Sequence, residues 1–319
     1  MRIDPSMFKR AIAVAMAIAF GIAFQGNAHA QKALTKVRAA YVPVATWLPA
    51  WVAQDKGIFK KHGLEVTLTS VQNLSLLPGT VGRQFEFAAS TAPDLLKAVA
   101  GGLDVVATAG EALETKSNEI MQVMVRKDSP IKGPKDLKGK VIAAPTLGAV
   151  MHSATLYWLK KNGVDPSSVR GVEVPFPNMA DQLKAGSVDA VEALVPFTTA
   201  MKAAGDRSIG DPMRAVGDEV LFPFWISDGN WARSHRPTIK AWIDSLTEAK
   251  NYMDAHPKET REILGKYSHL PPAIVKKVPL PTYRFAIEPK ELAVWVDVLD
   301  ALGQLPGPVD KSKLVVTAK

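Results

Sequence analysis

The stretch that decides the fold runs from residue 37 to residue 71, VRAAYVPVATWLPAWVAQDKGIFKKHGLEVTLTSV. Its opening, Val37 to Val42, is apolar except for Arg38 and predicts a buried strand. Trp51 to His62 carries apolar side chains on one helical face and stops at Gly63, which predicts an amphipathic helix. Leu64 to Val71 then alternates apolar and polar residues, the period of a second strand. A strand, a helix and a strand over so short a stretch form a βαβ unit, and two strands joined by a crossover helix pair in parallel.

The same rhythm extends outward. Phe85 to Ala89, Leu103 to Ala109 and Met121 to Val125 are short apolar runs of strand character, with a helical stretch at Pro93 to Ala100. Further on, Lys140 to Ala144, Val172 to Pro175 and Val188 to Val195 predict strands. They are interleaved with helices over Val150 to Asn162, Ala180 to Ala185 and Thr198 to Ala204. From Pro237 the pattern is helical: Thr238 to His256, Lys258 to Tyr267, Pro272 to Val278 and Pro289 to Leu302, separated by Pro and Gly. The fold class expected is α/β, with mainly parallel sheets and a helical C-terminal wrap.

The N-terminal end has its own logic. Arg2, Lys9 and Arg10 precede an apolar run from Ala11 to Phe24 and the small-residue ending Ala28-His29-Ala30. That is the layout of a cleavable secretory signal over residues 1–30, with cleavage before Gln31, and the apolar run is too short to span a bilayer. Export to the periplasm follows as an expectation. With no cysteine in the chain, a lipid anchor through cysteine, disulfides and thiolate metal sites are excluded. The remaining chain of about 290 residues exceeds a usual single domain. At 47% hydrophobic and 22% charged residues, it has an ordinary globular composition. Net charge is +8, and the signal holds three basic residues against one acid, so +6 remains, scattered among acids. No Lys/Arg block interleaves with aromatics, so nucleic acid is not an expected partner.

The KGxFxKxGL pattern from Lys56 to Leu64, after the strand at Val37, resembles the opening of the periplasmic receptors for sulfonates, taurine and nitrate. That family also includes binders of pyrimidine, thiamin-related precursors. Gly102 to Gly110 is a second match. Val125 to Asp128 with Lys135 to Lys140 and Pro145 to Gly148 is a third, and Gln182 to Gly186 with Asp189, Pro196 and Phe197 a fourth, all in family order. The resemblance implies the two-lobed fold of type II periplasmic binding proteins. One lobe would take residues 36–119 and 223–319 and the other residues 120–222, joined by a two-strand hinge. It implies a small organic anion as solute, with a pyrimidine precursor or aromatic solute as the alternative, and delivery by a monomer to an inner-membrane ABC permease and its ATPase. A receptor presenting its ligand to a sensor, and a pyrimidine-synthase-like enzyme, are the other readings.

Open α/β sheets bind ligands beyond the carboxyl ends of their strands, so the candidate contacts lie in the loops there. Thr46 and Trp47 follow the first strand, Ser90 and Thr91 the third, and Glu111 the fourth, while Thr146, Leu147 and Gly148 precede the helix near Ala149. Ser90, Thr91 and Thr146 serve equally as helix caps or as ligand contacts. Glu111 suits an ammonium or a pyrimidine amine, or simply a loop or helix start. His152 matches a histidine of the family and equally reads as a half-buried turn residue. Ala149 departs from the family's usual hydroxyl residue. Trp47 and Trp225 are candidates for a stacking wall, with Phe197 beside them, whereas Phe222 and Phe224 read as core. No nucleophile elbow, HExxH, Walker loop or GxGxxG occurs, and the histidine spacing suggests no metal site, so neither catalysis nor a cofactor is expected.

Overall fold

The computed structural model describes residues 33–318; the secretory-signal reading lies outside them. The chain divides into Met1–Leu34, of which only residues 33 and 34 are described, without regular structure, and Thr35–Lys319. Among the described residues, all regular structure belongs to the second unit.

The strands in chain order are β1 (Thr35–Tyr41), β2 (Leu64–Ser70), β3 (Phe87–Ser90), β4 (Val105–Gly110), β5 (Ala112–Thr115), β6 (Met121–Val125) and β7 (Val141–Ala144). They continue with β8 (Arg170–Glu173), β9 (Ala190–Leu194), β10 (Arg207–Gly210), β11 (Glu219–Leu221), β12 (Phe224–Asp228) and β13 (Thr282–Tyr283). The opening βαβ unit forms as expected: β1 and β2 pair in parallel from Thr35↔Leu64 to Tyr41↔Ser70. The intervening helix is broken in two, Leu48–Asp55 and Ile58–Lys61, because Gly57 takes a left-handed φ of 68° and turns the chain between them.

One sheet has the order β2-β1-β3-β12-β4 and the other, read from its opposite edge, β8-β7-β9-β6-β10. The two orders correspond strand for strand. In each, one strand runs against the rest: β12 is antiparallel to β3 and β4, and β6 to β9 and β10. Each reversed strand directly follows a passage of the chain from one sheet to the other, through residues 116–120 and residues 211–223. Where these passages lie side by side, a small sheet β11-β5-β13 ties them to the C-terminal segment. The C-terminal helices Arg236–Ala255, Pro257–Ser268, Pro272–Val275 and Pro289–Ala301 form close to the expected bounds.

A run of fully buried rings anchors the first sheet. Trp47 meets Trp225 edge-on with centroids 4.6 Å apart, and Trp225 meets Trp242 at 4.9 Å. Trp242, on the helix Arg236–Ala255, stacks on Phe87 at 4.5 Å and on Phe59 at 4.9 Å. Ring pairs in these geometries add stability beyond their buried area.

Gly110 shows how tightly the C-terminal segment is seated. A Cβ there would lie 2.3 Å from the Arg284 carbonyl oxygen and 2.9 Å from that of Ala286, both main-chain atoms that cannot rotate aside. The Gly110 N–H donates to the Phe285 carbonyl at 2.9 Å, fixing the approach. Gly110→Ala should therefore cost about 1–3 kcal/mol of stability through overpacking. A thermal melt checks this; an unchanged midpoint would mean that the segment swings away freely.

Candidate functional site

Both sheets turn the carboxyl ends of their parallel strands toward one cavity of about 70 Å³. The end of β1 leads into Val42, Val44, Thr46 and Trp47, and the end of β3 into Thr91 and Asp94. From the second sheet, β7 leads into Pro145, Thr146 and Ala149, β8 is followed by Phe176, and β9 ends at Leu194. Phe222 and Pro223, at the return passage of the chain, complete the wall.

Four of the residues singled out in the sequence meet there: Thr46, Trp47, Thr91 and Thr146. Trp47 is not a loop side chain standing free of the core. It is fully buried at the end of a single 3-10 turn, Ala45–Trp47, so it belongs to the core and to the cavity wall at once. Thr91 holds the N-cap position of the helix Ala92–Ala100, but its hydroxyl caps no main-chain N–H and donates to the Asp94 carboxylate at 2.5 Å.

The other candidates are set back. Ser90 is buried at the end of β3, behind Thr91, and does not line the cavity. Leu147 is 41% exposed and points its N–H at Glu173, 2.9 Å away. The Gly148 carbonyl is taken by Lys97 Nζ at 2.5 Å. Phe197 stacks at 5.5 Å on Phe176, the ring that reaches the cavity. Trp225 lies in the aromatic run beneath Trp47, and its Nε1–H donates to the carboxylate of Glu111, which is wholly buried. Burial pushes the Glu111 carboxyl well up from the ordinary range, against the Trp225 hydrogen bond. His152 Nδ1 lies 3.2 Å from the buried Glu192 carboxylate. Burial pulls that imidazole down, but the Glu192 hydrogen bond and charge outweigh it and raise its pKa.

Asp94 and Phe176 escaped the sequence reading, although both were within reach of it. Asp94 follows Thr91 by three residues at a helix start, a spacing typical of a capping pair. Phe176 follows β8 just as Thr91 follows β3. Among the described residues lining the cavity, Asp94 alone is titratable, and it is 8% exposed. Its Oδ1 accepts the Ser75 hydroxyl at 2.7 Å and its Oδ2 that of Thr91. Burial raises its pKa, with these hydroxyls and the Lys97 charge opposing. Two further polar atoms of the wall, Thr46 Oγ1 and Trp47 Nε1, are buried without a hydrogen-bond partner among the described residues. A buried donor left unpaired costs about 1–3 kcal/mol.

Hydrogen bonds also bridge the two sides away from the cavity. Besides Lys97 to Gly148, the Ser153 hydroxyl donates to Gln304 Oε1 at 2.7 Å and Lys160 Nζ to the Ala301 carbonyl at 2.5 Å. They tie the helix Val150–Lys161 to the first side and to the C-terminal segment. Lys97→Met removes one charged bridge while keeping the aliphatic stem. It should weaken solute binding by about tenfold, the worth of a charged hydrogen bond present only when the sides meet. Calorimetric titration checks it, and the melting point of the solute-free protein should hardly move. Among the described residues no helix is long and apolar enough to cross a membrane, and no cluster of His, Asp and Glu could hold a metal ion.

Two α/β halves of matching strand order, joined by two passages of the chain and facing one cavity with their strand ends, are the architecture of periplasmic binding proteins. Within that class, the chain belongs to the NMT1/THI5-like family, whose model matches residues 45–260. It is 32% identical over 162 residues to a putative ABC transporter periplasmic binding protein of Brachyspira hyodysenteriae, covering 50% of this chain and 46% of that one. The chain spans less than half the length of the curated relatives it first matches. The alkanesulfonate-binding protein of Xanthomonas axonopodis pv. citri, bound to MOPS, superposes with a TM-score of 0.76 at 19% identity. The match covers 89% of this chain and 99% of that one. The periplasmic aliphatic sulphonate binding protein of Escherichia coli gives 0.75 at 17% identity, over 88% and 97%.

Proposed function

We propose that the mature protein is an exported solute receptor that captures a small organic molecule between two lobes and delivers it to an ABC importer. The lobes are residues 36–119 with 223–319, and residues 120–222, and the passages between them act as the hinge. The observation that carries this reading is the cavity itself: strand ends of both sheets build it, and its wall holds buried polar atoms that lack partners among the described residues. A hinged protein closes on a molecule only if contacts improve on closing, so both sides must contribute. Thr46 and Trp47 do so from one side, and Thr146 and Phe176 from the other.

The sulfonate names borne by its structural relatives leave the solute's class open between an organic anion and the pyrimidine-type or aromatic alternative, and the two donors of the wall would suit an acceptor on either. The periplasm is the compartment this role requires, a monomer is the expected form, and a permease with its ATPase is the partner. The reading also holds that the molecule leaves unchanged. Asp94 is engaged by two hydroxyls, and among the described residues no histidine lines the cavity to pair with it.

The test is a thermal-shift screen of the mature protein against small organic anions, amines and heterocycles, followed by mass spectrometry of the best binder after long incubation. A true solute at 100 times its Kd stabilises by about 2.7 kcal/mol. Recovery of the intact molecule is the expected result. Steady protein-dependent conversion to a product would overturn the receptor reading in favour of an enzyme.

A further inference from the structure

We infer that Asp94 sets the charge of the solute: the cavity accepts a small molecule that presents a positive or N–H-donating group from an apolar body, and it rejects a bare anion. This rests on the reading of the cavity as the solute site. The wall holds one titratable side chain, and it is a carboxylate; among the described residues no Lys, Arg or His lines the space. Lys97, one turn further along the same helix, is the charged group nearest in sequence. Its Nζ is spent on the Gly148 carbonyl, outside the cavity lining.

The remainder of the wall is largely apolar, with Val42, Val44, Leu74, Val150 and Phe176 lining the same cavity. In such surroundings charges are poorly screened. An anion brought against Asp94 would meet a like charge in the wall itself, whereas Lys97, the cation whose charge acts on Asp94, is held at the Gly148 carbonyl outside the lining, so the approach is disfavoured.

The geometry at Asp94 points the same way. Each carboxylate oxygen takes one hydroxyl, from Ser75 and from Thr91, which orients the group. An ionised carboxylate has about four acceptor sites, so capacity remains for a donor arriving from the cavity. Thr46 Oγ1 and Trp47 Nε1, buried and unpartnered among the described residues, meet an acceptor elsewhere on the same molecule. The solute class is therefore an organic amine, or a neutral molecule with an N–H donor and one acceptor.

Matched probes test this: straight-chain primary amines and sulfonates of two to six carbons, measured by thermal shift and calorimetry on the wild type and on Asp94→Asn. The expected result at neutral pH is stabilisation by amines but not by sulfonates, with at least about tenfold weaker amine binding in Asp94→Asn. The wild type gives a second readout that needs no variant. Acidification that protonates Asp94 should release the amine, because the attraction requires the charged form. Binding of sulfonates to the wild type with affinity unchanged in Asp94→Asn would overturn the charge assignment while leaving the receptor reading intact. If the broader screen yields a binder that lacks any N–H or cationic group, the charge assignment is overturned while the receptor reading stands; no shift from any compound of either set counts against both.

Discussion

Trp47→Ala should lower stability by about 3–5 kcal/mol, the range for deleting a large buried aromatic side chain, and should also weaken solute binding by roughly ten- to a hundredfold, at about 1.4 kcal/mol per tenfold. The stability loss follows from its full burial and its edge contact with Trp225 at 4.6 Å, where the aromatic run would lose its first ring. The affinity loss follows from its place in the cavity wall, since a flat ring stacked on an aromatic side chain is worth about 1–3 kcal/mol. Paired melting and titration experiments separate the two effects. Trp47→Phe keeps most of the ring and removes only the Nε1–H, so it should lose much less stability while testing that unpaired donor.

The second large effect is expected at the hinge. Glu114 sits in β5 just before the first passage between the sheets. Its carboxylate accepts the Ile120 N–H at 2.7 and 2.8 Å and the Met121 N–H at 2.9 Å. Asp211, buried at the start of the return passage, accepts from Met213 N–H and Arg214 Nε, both at 2.8 Å. Burial, and then the Asp211 charge, push Glu114 up to about 9, and burial raises Asp211 as well, so the two carboxyls titrate as a pair. Glu114→Ala leaves two buried N–H groups without acceptors and should cost about 2–5 kcal/mol.

The pH dependence has a definite sign. A carboxyl whose folded pKa is raised contributes stability that is complete below its unfolded value, about 4.3. That contribution is lost as pH rises toward the folded value. Stability should thus fall between mildly acidic and alkaline pH with a slope of up to about 1.4 kcal/mol per pH unit. Glu114→Gln should flatten that slope. Denaturant midpoints measured across this range decide it, and an equal slope in both proteins would assign the dependence to other groups.

The elements most legible in the sequence are those whose period is set by burial on one or both faces. Met121 to Val125 forms a strand with the expected bounds, and the helix expected from Val150 to Asn162 ends one residue earlier, at Lys161. What could not be read depends on long-range pairing. β12 has no strand reading in the sequence, and nothing local states that it inserts antiparallel between β3 and β4 after the chain returns from the other sheet. The short β5, β11 and β13 exist only because the two passages and the C-terminal segment lie side by side.

The same limit applies at the cavity. Residue type and position after a strand located Thr46, Trp47, Thr91 and Thr146. They could not tell that Trp225 packs beneath Trp47, or that Glu111 is held by the indole of Trp225 rather than solvated in a loop. Trp47 reads as a loop residue beside Pro49, yet tertiary packing buries it completely. Asp94 was passed over because a carboxylate in a first helical turn has an ordinary role there, favouring the helix dipole.

The central claim is that one solute is gripped from both sheets at once. Hydrogen exchange of the mature protein, with and without the molecule giving the largest thermal shift, tests it most directly. Protection is predicted in three separate stretches together, residues 42–47, 91–95 and 144–151. Protection confined to one side, or appearing instead at the surface groove around Asp55, Lys56 and Glu259, would contradict it.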